Sequence, residues 1–206
     1  MDPAVTATVK RQSLIEPKTV GEALYWSYAN LAMAYASKRH SQPTYQKADY
    51  IVRNKTYHGL LQGKLQIGSF IKDEKSKIAS SDSCCYCGRH EELSLDHLVP
   101  QFSGGAHSAD NLLVACRSCN SSKGAREFLE WMVKRKQFPP LQPLRRYLKL
   151  AITYCTERRL MDVSLQELGT IQNLPVAVAL LPFTFPEPEL FRARIPIATQ
   201  PPSPSC

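Results

Sequence analysis

Two Cys-x2-Cys pairs, Cys84/Cys87 and Cys116/Cys119, bracket an Asp96-His97 step, a Gly104-Gly105 pair, Asp110-Asn111 and Asn120. Each cysteine pair has knuckle spacing, which lets two thiolates of one tight turn reach the same tetrahedral ion. Gly88, directly after the first pair, helps that turn close. Four such thiolates are the ligand set of a structural Zn2+. The competing reading is disulfide pairing, but a secreted disulfide scaffold is short and loop-rich, and the start of this chain has no signal-peptide pattern. Cys85 is an alternative to Cys84, although Cys85-x-Cys87 makes the poorer knuckle. Cys155 and Cys206 read as spare thiols. The stretch between the knuckles is longer than a bare zinc ribbon needs, so it must house something further.

What it houses is the combination Asp96-His97-x2-Pro100, Gly104-Gly105, Asn111-Leu112, Cys116-x2-Cys119-Asn120 and Lys123. That combination resembles the HNH nuclease family, the ββα-metal fold, in its four-cysteine zinc-bound form, and covers roughly residues 84–125. Asn120 stands where the family name has its last His, making this an HNN variant. The resemblance implies an endonuclease that hydrolyses phosphodiester bonds in DNA. It implies His97 as general base, Asn111 as the residue that orients it, and Asp96 with Asn120 as ligands of one divalent cation. A carboxylate and an amide oxygen are hard ligands, which favours Mg2+ or Mn2+ at that second site. An imidazole ionises near ~6.5, which suits proton abstraction at neutral pH. Asp96 and His97 point to opposite sides of a strand, so both can serve one site only at a twisted strand end or at its edge. Lys123 and Arg126 are expected on the opening turn of the following helix, where a free N-terminus and cationic side chains suit a phosphate. His107 reads as a surface residue. The alternative is a non-catalytic zinc-ribbon module that binds nucleic acid or protein, which has no need of a base beside a hard-ligand pair. RNA ranks below DNA as substrate because no RNA-recognition motif is visible.

Charge supports a polyanionic partner. The 206-residue chain carries a formal net charge of +8 with pI ≈ 9.2. Residues 121–160 hold ten Lys/Arg against three Asp/Glu, whereas residues 84–120 hold two against four. A slightly acidic metal module is thus followed by a basic segment, in which Arg145 and Arg146 are expected to grip the nucleic-acid backbone.

These residues need elements to position them. Glu92 to Val99 reads as a strand with Leu93 and Leu95 as its apolar positions, Gly104-Gly105 as a flexible connection, and Asn111 to Ala115 as the return strand. Asn120 or Ser121 is expected to cap a helix running through Phe128, Leu129, Met132 and Val133. The expected fold class is α+β, a zinc-stapled ββα-metal module embedded between helices. Thr19-x2-Glu22 predicts a helix to about Arg39, a second follows Pro43 to about Leu61, and a third follows Pro143 to about Met161. Tyr25, Trp26, Tyr28, Tyr35, Tyr45, Tyr50 and Tyr57 are expected in the core. The chain divides into a helical region with linker (1–83), the nuclease module (84–136), a basic helical extension (137–173) and a proline-rich arm (174–206). The arm is expected to pack on the domain or on a partner, a second copy of the chain included, with Gln200 onward disordered. Its Val176-to-Leu181 run is too short to span a membrane, and the cytoplasm is the expected compartment.

Overall fold

The computed structural model describes residues 15–68, 81–171 and 174–192. Most of the linker expected from Lys72 to Ser83, and the tail from Gln200, lie outside them. The fold is α+β, as the sequence predicts: one two-stranded sheet set among helices. Among the described residues no helix is long and apolar enough to cross a membrane.

Helix α1, Val20–Ser37, opens at Thr19, whose hydroxyl accepts from the Glu22 amide at 3.2 Å, while Glu22 reaches back to the Lys18 amide at 2.7 Å. Helix α2, Lys47–Leu61, opens on a reciprocal Gln46/Asp49 capping box and packs against α1. Strands β1, Leu93–His97, and β2, Leu112–Cys116, run antiparallel with Leu93 opposite Cys116 and His97 opposite Leu112.

After β2 the structure departs from the single helix expected there. Helix α3, Arg117–Lys123, begins on the second knuckle itself, with the Cys116 sulfur accepting from the Cys119 amide at 3.5 Å. It stops at Gly124 (φ 53°, ψ −133°), a conformation unfavourable for a residue with a Cβ. Helix α4, Phe128–Lys134, then restarts with the Glu127 carboxylate as its cap. Asn120 is therefore inside a helix and not its cap. Helix α5, Leu141–Glu157, accommodates Pro143 in its first turn, where amides lack intrahelical partners. Short helices α6, Leu165–Leu168, and α7, Pro188–Arg192, follow among the described residues.

One cluster of buried side chains runs from Val20 and Leu24 of α1 through Leu98, Leu113, Phe128, Trp131 and Leu148 to Val176 and Phe185 of the arm. The arm packs on the domain, with the Trp26 indole donating to Phe183 O (3.1 Å) and the Tyr45 hydroxyl to Pro186 O (3.0 Å). Trp26, Tyr45 and Tyr57 are buried, and Tyr25, Tyr28, Tyr35 and Tyr50 pack partly buried against the core, as expected of aromatics at helical spacing.

Candidate active site

The sulfurs of Cys84, Cys87, Cys116 and Cys119 all lie within 4.8 Å of one another, with Cys87 and Cys116 at 3.7 Å. Four ligands about 2.3 Å from one centre in a tetrahedron stand about 3.8 Å apart, so the cluster fits a Zn2+ ion. Gly88, at φ 78°, closes the first knuckle, its amide donating to Cys84 O at 2.8 Å. Burial pushes the Cys116 thiol up, but hydrogen bonds to its sulfur from the Cys119 amide and the neighbouring thiols prevail and bring it down to about 7. Cys85 lies outside the cluster, and burial pushes its thiol well above the usual range. The choice between Cys84 and Cys85 is thereby resolved. Cys155 is a buried free thiol.

Asp96, His97 and Asn120 line one cleft of ≈ 270 Å³, together with Leu95, Pro100, Gln101, Phe102, Gly124 and Ala125. The strand end brings Asp96 and His97 to the same opening even though they leave β1 on opposite faces. The buried face of β1 is not the one its leucines suggest: Leu95 is 62% exposed and Asp96 only 4%. Asp96 tolerates burial because the Tyr86 hydroxyl donates to its Oδ2 (2.6 Å) and Lys123 Nζ to its Oδ1 (3.1 Å). Burial, with Cys85 and Asp96 nearby, pushes the Tyr86 phenol well above its usual range, so it remains a donor. The Tyr86 ring in turn packs edge-on against Trp131 at 4.9 Å, joining the knuckle to α4.

Lys123 also donates to the His97 carbonyl at 2.6 Å, fixing the strand end. Its side chain has no exposed surface and it sits at the C-terminal end of α3, so the expected phosphate contact at a helix N-terminus does not form. Arg126 is exposed beyond the helix end and donates to the Ser122 carbonyl. Asn111 is 1% exposed and makes no hydrogen bond to the His97 ring. Its Oδ1 accepts from Val99 N (2.8 Å), and its Nδ2 donates to Val99 O (2.8 Å) and Ala106 O (2.9 Å). Asn111 thus fixes the loop that follows His97.

That loop is a close-packed turn where flexibility is expected from Gly104-Gly105. Gly104 adopts φ 91°, and a Cβ on Gly105 would sit 2.0 Å from Val99 O. The turn carries His107 back to the strand end, where its Nδ1 meets His97 Nε2 at 2.8 Å. His107 is exposed, as expected, but its contact with His97 gives it a place in the site that sequence spacing did not signal.

Asn120 Nδ2 donates to Ser94 Oγ (3.0 Å) and Leu95 O (3.1 Å), leaving the amide oxygen available to the cleft. Each Asp96 oxygen accepts one hydrogen bond from these donors and retains a further lone pair. Both are hard oxygen donors of the kind a divalent cation takes, with the Lys123 ammonium already balancing the Asp96 charge.

Arg146, expected on the nucleic-acid surface, is 2% exposed. It donates from α5 to Ala109 O (3.2 Å) and Asp110 O (2.9 Å), bracing the turn that presents Asn111. Lys149 is likewise buried, so residues 121–160 present less positive charge than their sequence suggests. Arg145 is half-buried, over the Tyr35 ring at 5.4 Å.

Residues 84–126 match the family model of the HNH endonuclease. This segment is an HNH endonuclease domain. Its four clustered cysteines agree with the zinc-bound HNH form, and it ties the chain to nuclease-type, nucleic-acid-related function. No curated protein and no solved structure is matched. Outside the HNH domain, α1, α5 and the arm share its buried core, with Arg146 of α5 reaching its Asn111 turn.

Proposed function

We propose that the protein is a metal-dependent endonuclease that hydrolyses phosphodiester bonds in DNA. The observation that carries this reading is the convergence of Asp96, His97 and Asn120 on one cleft beside the four-cysteine cluster. A binding ribbon has no use for an imidazole next to two hard oxygen donors. Mg2+ or Mn2+, held by the Asp96 carboxylate and the Asn120 amide oxygen, would stabilise charge on the phosphate and on the departing oxygen. His97 takes the proton of the attacking water. Its Nε2 meets His107, and when that nitrogen carries the proton, Nδ1 is left as the basic atom. The Lys123 bond to the His97 carbonyl and the Asn111 bonds across the following loop hold the ring's backbone in place, so little reorganisation accompanies proton transfer. Arg126, next to cleft-lining Ala125, and Arg145 supply positive charge for the backbone.

One observation favours a second reading, a zinc module that only binds. Tyr86 and Lys123 already engage both Asp96 oxygens, as they would for a purely structural carboxylate. The two readings separate in a cleavage assay. Zinc-loaded full-length protein, incubated with supercoiled plasmid and with single-stranded RNA, is expected to nick or linearise the plasmid only when Mg2+ or Mn2+ is added, and to leave the RNA intact. Intact plasmid under every metal, with zinc content unchanged and the plasmid still bound, would favour the binding module.

A further inference from the structure

Phe102 is 95% exposed, the largest exposure among the large hydrophobic side chains of the described residues. It stands on the cleft that holds Asp96, His97 and Asn120, and Leu95, 62% exposed, lines the same opening. A loose loop does not account for this exposure. Phe102 lies in the short turn Gln101–Ser103, where the amides of Ser103 and Gly105 both donate to Pro100 O (3.0 Å each) and Gly104 N donates to Gln101 O (2.9 Å). The close approach of Gly105 to Val99 O and the Asn111 bonds to Val99 and Ala106 lock the next residues. The backbone thus holds a phenyl ring in water beside the candidate catalytic groups.

A phosphodiester offers charged oxygens and no apolar surface. The sugar and base beside it do, and every base has a π face on which an aromatic side chain stacks. In an intact duplex both faces of each base are covered by its neighbours, so a side chain reaches one only where a step has been opened or the strand is single. Two apolar side chains are far too small a patch for a protein interface, which takes about 800 Å² per partner. On the reading of the site as a DNA-cleaving centre, we infer that Phe102 stacks on the nucleobase next to the scissile phosphate. The cleft accordingly prefers DNA in which that base is unstacked, either single-stranded or locally opened.

The test uses full-length protein and three DNA oligonucleotides of one sequence: a duplex, a duplex with a short mismatched bubble, and the single strand. Each carries 2-aminopurine beside the cleavage position mapped with the wild type. The wild type is expected to cleave the bubble and single strand with lower KM than the duplex. In a His97→Ala background, binding should change 2-aminopurine emission, as stacking on an aromatic ring does. Phe102→Ala should raise KM for the opened substrates about tenfold, in line with the loss of one stacked base. Its kcat should be nearly preserved, Phe102→Trp should restore KM, and Phe102→Leu should not. If the wild type cleaves but Phe102→Ala leaves the substrate preference and the emission unchanged, stacking is overturned while the nuclease reading stands. If sedimentation shows wild-type self-association that Phe102→Ala abolishes with cleavage unaltered, a second copy occupies the ring and the proposal is likewise overturned. If no oligonucleotide is cleaved with Mg2+ or Mn2+, the nuclease reading fails and takes the proposal with it.

Discussion

His97 Nε2 and His107 Nδ1 stand 2.8 Å apart, with ring centroids at 5.1 Å, so the candidate base is hydrogen-bonded to a second imidazole delivered by a glycine turn. The bond holds the His97 ring, and when His97 Nε2 is its donor, Nδ1 is the basic atom. His107→Ala should therefore lower the single-turnover cleavage rate about tenfold, with DNA affinity nearly unchanged, and His107→Gln should recover part of the loss. Rapid-quench kinetics at saturating enzyme provide the measurement. An unchanged rate in the Ala variant would leave the pair without a role in the reaction.

The four-cysteine cluster sits at the outer ends of both strands, since Cys116 closes β2 opposite Leu93 and the Cys85 amide donates to Val114 O at 2.9 Å. Purified protein should contain about one zinc per chain, and Cys116→Ser should lose both the metal and the folded HNH domain. Elemental analysis with circular dichroism checks this. A zinc-free protein with a native spectrum would show that the thiols are not a metal site.

Lys123 and Asp96 form a buried ion pair with side chains 0% and 5% exposed. Removing one partner leaves a buried charge, so Lys123→Met should destabilise the domain by about 3–5 kcal/mol. Tyr86→Phe, which removes one hydrogen bond to the same carboxylate, should cost about 1–3 kcal/mol. Urea unfolding at constant zinc content reads both. Wild-type stability for Lys123→Met would place its ammonium in solvent, where it could bind phosphate.

The same contrast separates adjacent arginines on α5. Arg146→Ala removes charged hydrogen bonds to Ala109 O and Asp110 O and should lower stability by about 2–3 kcal/mol, whereas Arg145→Ala should leave the fold intact and weaken DNA binding on any sequence. Thermal unfolding beside a salt-dependent binding titration distinguishes them. A stable Arg146→Ala variant with lost affinity would contradict the buried placement.

The knuckles, both strands and the three long helices were legible because each leaves a local mark: Cys-x2-Cys spacing, apolar alternation, a capping residue. Asp96, His97 and Asn120 were singled out only through the family resemblance, and Phe102 beside them was not. Which face of β1 is buried was not. Leu95 lies outside and Asp96 inside because distant Tyr86 and Lys123 compensate the carboxylate, and no local pattern records such partners. Charge counting failed at Lys123, Arg146 and Lys149 for the same reason, since residue type does not say whether a cation meets solvent or a buried carbonyl. The break at Gly124 was marked by a glycine, but one glycine inside a helical pattern is compatible with continuation. His107 was missed because its partner lies ten residues away across a turn whose shape depends on Gly105 fitting against Val99 O.

On the proposed function, His97 is the general base of a metal-dependent cut. Single-turnover cleavage of supercoiled plasmid with Mg2+ or Mn2+, comparing the wild type with His97→Ala at equal zinc content and matched DNA affinity, tests it most directly. With His97 as the base, the variant should lose about 10²–10⁴-fold in rate. Cleavage by His97→Ala at the wild-type rate would contradict it.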